Sequence, residues 1–203
     1  MSYPEDGSSA YFTVDTSEVL LVALYLRDRA GLRGVGLPPL PPVVPAVRAV
    51  DTLRLARSGE ATVLRVEWEA WWHSLLAHRI SAAVLPVPPL FEALDGMESL
   101  KSLLRAHFGA AMDWAEERCA EYALHAGARG ADSMEGLLAR LLEERQLELG
   151  RAAHRFTLQV IELPLGVRRA WWVEPDKLLM CQDLFGDEQA FRSYVEPVIR
   201  ILA

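Results

Sequence analysis

Cysteine is scarce. Cys119 and Cys181 stand 62 residues apart and form no CxxC pair, so neither a disulfide framework nor a zinc ribbon is readable, and buried thiols are expected. Lysine is scarcer still: of 21 basic residues only Lys101 and Lys177 are lysines. With charges of both signs scattered and a net charge of −7, the chain lacks the electrostatic footprint of a DNA, RNA or anionic-membrane binder. Arginine in place of lysine, with abundant Ala, Leu, Gly and Pro, reads as a high-GC bacterial gene. Long hydrophobic runs are missing too. Val19 to Leu26 covers eight residues, where about 18 to 20 are needed to cross a bilayer. The longer uncharged stretch Val35 to Val47 carries five prolines, which break a spanning helix. Met1 to Thr13 holds Glu5 and Asp6 instead of the basic start of a secretory signal. A cytoplasmic protein is expected, with neither nucleic acid nor membrane among its partners.

Catalytic motifs are absent as well. His73 and His78 are five apart, about 140° around a helix, where a zincin needs four. No Glu-x-x-His pair suits a di-iron bundle. Gly31, Gly34 and Gly36 lead into prolines rather than opening a helix after a strand, so they build no phosphate cradle, and neither a Walker lysine nor GxSxG occurs. The nearest approach to a ligand set is the stripe Asp113, Glu117, Glu121 and His125, which reads as a solvated helix face. No catalytic residue, cofactor or metal ligand is therefore assigned.

What is present is a chain of 203 residues, 51% of them hydrophobic, enough for one domain with a sizeable core. Residues 1–14 read as a flexible N-terminus, 15–154 as a helical bundle, and 155–203 as a small β-meander plus helix packed on it. Asp15 with Glu18 forms a capping box before an apolar run. Ala46 to Arg57 has helical spacing, and Leu64, Trp68, Trp71, Trp72, Leu75 and Leu76 follow the helical template closely, with Glu69 and His73 facing water. Proline-rich connections fall at 36–45 and 85–90, extended polyproline in character. From Met97 one apolar period runs about 30 residues to a stop at Gly127 and Gly130. Asp132 with Glu135 opens the next helix, and so short a link favours an antiparallel hairpin.

Near residue 155 the period changes to two, giving strands around Phe156–Val160, Trp171–Val173 and Leu178–Cys181 separated by turns. A helix carrying Phe191, Tyr194, Val195, Val198, Ile199 and Leu202 closes the chain, kinked or broken at Pro197. The expected class is α+β, predominantly α: a helical bundle with a small C-terminal three-stranded antiparallel sheet and a terminal helix.

Two features ask for cover. The run Val19 to Leu26 is apolar nearly all round, so Leu20, Leu21, Leu24 and Tyr25 need neighbours on more than one side, either from a central position in the chain's own bundle or in part from another chain. The adjacent pairs Trp71–Trp72 and Trp171–Trp172, with Trp114, cannot all point into one core. Leu21, Leu24, Tyr25, Trp71, Trp72, Trp114, Trp171 and Trp172 are accordingly the candidate interaction or ligand residues. They point to a non-catalytic protein that binds another protein or itself. The alternative is a small-molecule binder or enzyme with a pocket among Trp68, Trp72 and Trp114.

Overall fold

The computed structural model describes residues 10–50, 59–77, 85–129, 134–173 and 175–203. Two compact units emerge: Met1–Thr16, Ala123–Leu163 and Arg168–Ala203 form one, Ser17–Tyr122 and Pro164–Val167 the other. The α+β class with helix dominant holds, and no helix among the described residues is long and apolar enough to cross a membrane.

In the first unit, strands β1 (Tyr11–Asp15), β2 (Thr157–Leu163), β3 (Ala170–Val173) and β4 (Lys177–Cys181) form one sheet in the order β1-β2-β4-β3. The expected three-stranded antiparallel meander is thus corrected to a four-stranded mixed sheet. β1, β2 and β4 run parallel, and only β3–β4 is an antiparallel hairpin. β2 is buried at every position after its first, and β4 at every position, which is the signature of central strands covered on both faces. Six residues, 164–169, carry the chain past the place of β4 to the sheet edge. Their reach of about 20 Å exceeds the roughly 10 Å of two strand spacings.

β1 comes from the stretch expected to be flexible. Its Tyr-Phe-Thr-Val sequence is aromatic and β-branched, suited to pairing once β2 is available.

Helices α4 (Met134–Leu149) and α5 (Glu188–Leu202) cover one face of this sheet. Leu137, Leu138, Leu141 and Leu142 meet Phe191, Val195, Val198 and Ile199 over Leu158, Val160, Leu178 and Met180. α4 packs on β1 and α5, while the link before it lies outside the described residues. Asp187 caps α5 by accepting the Ala190 amide at 2.9 Å. The helix continues through Pro197 instead of breaking there.

The second unit holds α1 (Glu18–Arg29), α2 (Glu60–Ala77) and the first part of α3 (Glu98–Arg129). α1 is capped by Ser17, not Asp15, whose carboxylate takes the Thr16 amide at the end of β1. Every residue from Val19 to Asp28 is buried. At the far end of α1 a buried ion pair staples the first proline segment. Arg27 Nε donates to Asp28 at 2.7 Å and its Nη atoms to the carbonyls of Leu40 and Pro41, while Asp28 accepts the Val43 amide at 2.8 Å. Residues 36–39 turn, and Val43 bridges Leu165, so this segment is no uniform polyproline helix. Residues 46–50 are not helical, and the rest of the helix expected over 46–57 lies outside the described residues. α3 is continuous over 32 residues and passes through Gly127, with its first-turn Leu100 amide held by Glu67 of α2 at 2.7 Å.

Candidate functional site

The tryptophans of the second unit are placed by α2. Trp68, 1% exposed, stacks on Trp72 at 5.3 Å and 12°, and its Nε1–H donates to the Ala23 carbonyl of α1 at 2.8 Å. Gly36, at φ +82°, closes over the pair: a Cβ there would come 3.1 Å from Trp72 Cδ1 and 3.2 Å from Trp68. The indoles are therefore sealed by backbone. Glu69 is half-buried and accepts the Gly36 amide at 3.2 Å, holding that closure, whereas His73 faces solvent as expected. Leu21, Leu24, Tyr25 and Trp71 are buried too. Leu21 and Leu24 have no exposed surface, so of the two sources of cover the chain's own supplies it, and a contribution of another chain to these residues is corrected.

Trp114 stands apart, with no ring contact to Trp68 or Trp72. It packs on Tyr25 at 5.8 Å and under the Arg118 guanidinium at 5.6 Å. Arg118, 8% exposed, gives Nη2 to Glu121 at 2.7 Å and Glu117 at 3.3 Å. Its Nε and Nη1, and Trp114 Nε1, are buried without hydrogen-bond partners among the described residues. Three unsatisfied donors at one place suit an oxygen acceptor. The stripe Asp113, Glu117, Glu121 and His125 is solvent-facing apart from the half-buried Glu121, and two of its carboxylates are tied to Arg118.

In the first unit the least ordinary polar group is Glu162, near the carboxyl end of β2 and 2% exposed. Its Oε2 accepts Arg129 Nη2 at 2.8 Å, while Oε1 has no partner among the described residues. Burial pushes the carboxyl above its ordinary range, opposed by the Arg129 hydrogen bond and charge and the His125 charge. Thr16 Oγ1 donates to the Glu162 carbonyl at 2.9 Å, and Arg129 lies 4.8 Å from the Phe185 ring. A lone acid inside an apolar strand was the signal available in the sequence. No cluster of metal-ligand type occurs among the described residues.

β3 presents Trp171 and Trp172, both half-exposed. Among the described residues it is an edge strand, hydrogen-bonded to β4 alone. Arg169 accepts the Cys181 amide at 3.0 Å, which fixes the alternation: Trp171 and Val173 bond inward, while the N–H and C=O of Ala170 and Trp172 point out of the sheet. Trp172 packs against the core beneath α4 and α5 and Trp171 lies on the opposite face. No charge and no proline interrupts the strand, which are the usual protections of an edge. Comparison of the chain with family models, curated proteins and solved structures gives no match.

Proposed function

We propose that this is a non-catalytic interaction or assembly protein whose partner is another protein or a second copy of itself. The observation that carries the reading is the edge of β3, unpaired among the described residues, uncharged, free of proline and bordered by two half-exposed indoles. Such an edge accepts an extended segment by strand addition, with main-chain hydrogen bonds for affinity and side-chain contacts for specificity. The cytoplasm of a high-GC bacterium is the setting its composition supports.

Affinity capture from the host, with wild type beside Ala170→Pro, tests the reading. The proline removes an outward amide and leaves the hydrogen bonds to β4 in place. Ala170 is buried in the core of its unit, so a lowered melting temperature is expected and circular dichroism at the assay temperature establishes that the variant is folded. Species held by wild type and lost from the folded variant are expected. Identical capture by both overturns the reading.

A second reading, a small-molecule binder, is favoured by the three unsatisfied donors of Trp114 and Arg118. It calls for a ligand bearing carbonyl or carboxylate oxygens. Acetate and amino-acid carboxylates would then raise the melting temperature of wild type but not of Arg118→Gln.

A further inference from the structure

We propose that Arg29 of α1 and His107 of α3 together bind a phosphate group, either free or carried by a small phosphomonoester. The site is separate from the β3 edge and from the Arg118 donors, and stands or falls without them.

Helical spacing places the two residues on one seam. Tyr25 of α1 meets Trp114 of α3 with ring centroids 5.8 Å apart. Arg29 follows Tyr25 by four residues and His107 precedes Trp114 by seven, so each shares the helix face that makes this contact. Burial and, after it, the Arg29 charge hold the His107 imidazole below its ordinary value, which sets the guanidinium beside the ring. No carboxylate acts on the ring in return. Of the other cations, Arg105 is exposed and lies over Phe91 at 6.0 Å, and Arg48 is exposed.

Arg29 is a cation without an acid. It forms no ion pair among the described residues, and its neighbour Asp28 is committed to Arg27, Arg33 and the Val43 amide. A last-turn arginine commonly bonds the terminal carbonyls of its own helix. Here those of Leu26, Arg27, Asp28 and Arg29 already accept the amides of Ala30, Leu32, Gly31 and Val50. The Arg48 carbonyl holds the guanidinium at Nη1, 2.6 Å away, while Nε is buried with no hydrogen-bond partner among the described residues. Such a donor, fixed in place and unsatisfied, calls for an acceptor. Both side chains are half-buried, which leaves them reachable from solvent yet less screened than surface charges.

Charge selects the ligand. A carboxylate brings one negative charge, whereas a phosphate group brings nearly two on three acceptor oxygens, enough for a guanidinium and an imidazolium at once. Binding therefore draws a proton onto His107. By linkage the bound anion raises the imidazole value, and affinity falls as pH rises through it.

Proton NMR titration of the His107 ring in the full chain, assigned with His107→Gln and held at constant ionic strength with chloride, tests the proposal. Inorganic phosphate or sulfate should raise the ring from its low value in chloride. Sulfate, dianionic throughout, should bind more tightly as pH falls. Acetate should leave the ring where chloride does. In calorimetry with inorganic phosphate, Arg29→Gln should weaken binding roughly tenfold or more, and Arg29→Lys, which keeps the charge and loses the planar fork, should fall in between. Circular dichroism establishes that these variants are folded. His107→Gln leaves the Arg48 contact in place and should bind more weakly with no pH dependence over the imidazole range. Tighter binding of glycerol 3-phosphate than of inorganic phosphate assigns an ester, and the reverse assigns the free ion. A ring that titrates alike in phosphate and chloride, or phosphate binding indifferent to both Arg29→Lys and His107→Gln, overturns the site. An acetate response equal to that of phosphate overturns the choice of ligand.

Discussion

Replacing Trp68 by Ala and, separately, by Phe separates the packing of this side chain from its hydrogen bond. Trp68 is 1% exposed, stacked on Trp72 at 5.3 Å and bonded to the Ala23 carbonyl. Truncating a buried aromatic to Ala costs about 3–5 kcal/mol through lost transfer energy and the residual cavity. The Ala23 carbonyl also serves the α1 backbone ladder, so losing the indole donor leaves no orphan and removes only about 1 kcal/mol. Trp68→Phe keeps a ring in place and loses that bond and part of a stack worth about 0.5–1.5 kcal/mol, for a total near 2 kcal/mol. Glu69→Ala, one residue on, loses an exposed pair with Arg65 and the partly buried Gly36 bond, and about 1 kcal/mol covers it. Urea unfolding followed by far-UV circular dichroism, with m-values compared to establish that the unfolding transition is unchanged, measures all three. The reasoning fails if Trp68→Phe costs as much as Trp68→Ala, which would make the bond and not the packing dominant. It fails equally if Glu69→Ala matches Trp68→Ala, which would mean the wrong face of α2 is inside.

Asp28→Ala should be among the most damaging changes, about 3–5 kcal/mol, because it strands the buried Arg27 guanidinium; a smaller loss than that of Trp68→Phe in the same urea series would contradict the buried pair. Gly36→Ala places a Cβ 3.1 Å from Trp72 in a left-handed conformation, and about 2 kcal/mol of destabilisation is expected from strain and overpacking together, read as a lowered melting temperature. Glu162 has its carboxyl raised by burial, so the folded chain holds a proton over a window where the unfolded chain has released it. Its contribution to stability is therefore fully present below the ordinary carboxylate range and is lost as pH rises through the folded value. Glu162→Gln should flatten that part of the stability–pH curve, and parallel curves for the two proteins would refute the assignment.

The helical face of α2 is legible in the spacing of Leu64, Trp68, Trp71 and Leu75, and that of α5 in Phe191, Val195, Val198 and Ile199, because a 3.6-residue period states directly which side is apolar. The all-round apolar run of α1 likewise announces a helix covered on every side. The hairpin of β3 and β4 is readable from two short runs around Glu174-Pro175-Asp176. Other features required the tertiary structure. Side chains alternate equally in parallel and antiparallel strands, so nothing local could show that β2 runs with β4 or that β4 inserts between β2 and β3. β1 has only five residues, too few for a period, and becomes a strand because β2 offers it an edge. Glu162 looks like any strand acid until Arg129 is brought beside it from 33 residues away. The tryptophan pairs divided in a way their spacing could not foretell: Trp71 and Trp72 are both enclosed by a helix buried over a wide arc, while Trp171 and Trp172 stay half-exposed on a sheet edge. Local periodicity specifies which surface must be hidden, and long-range pairing decides what hides it, because the covering residues are distant in the chain and their choice depends on every other pairing being made.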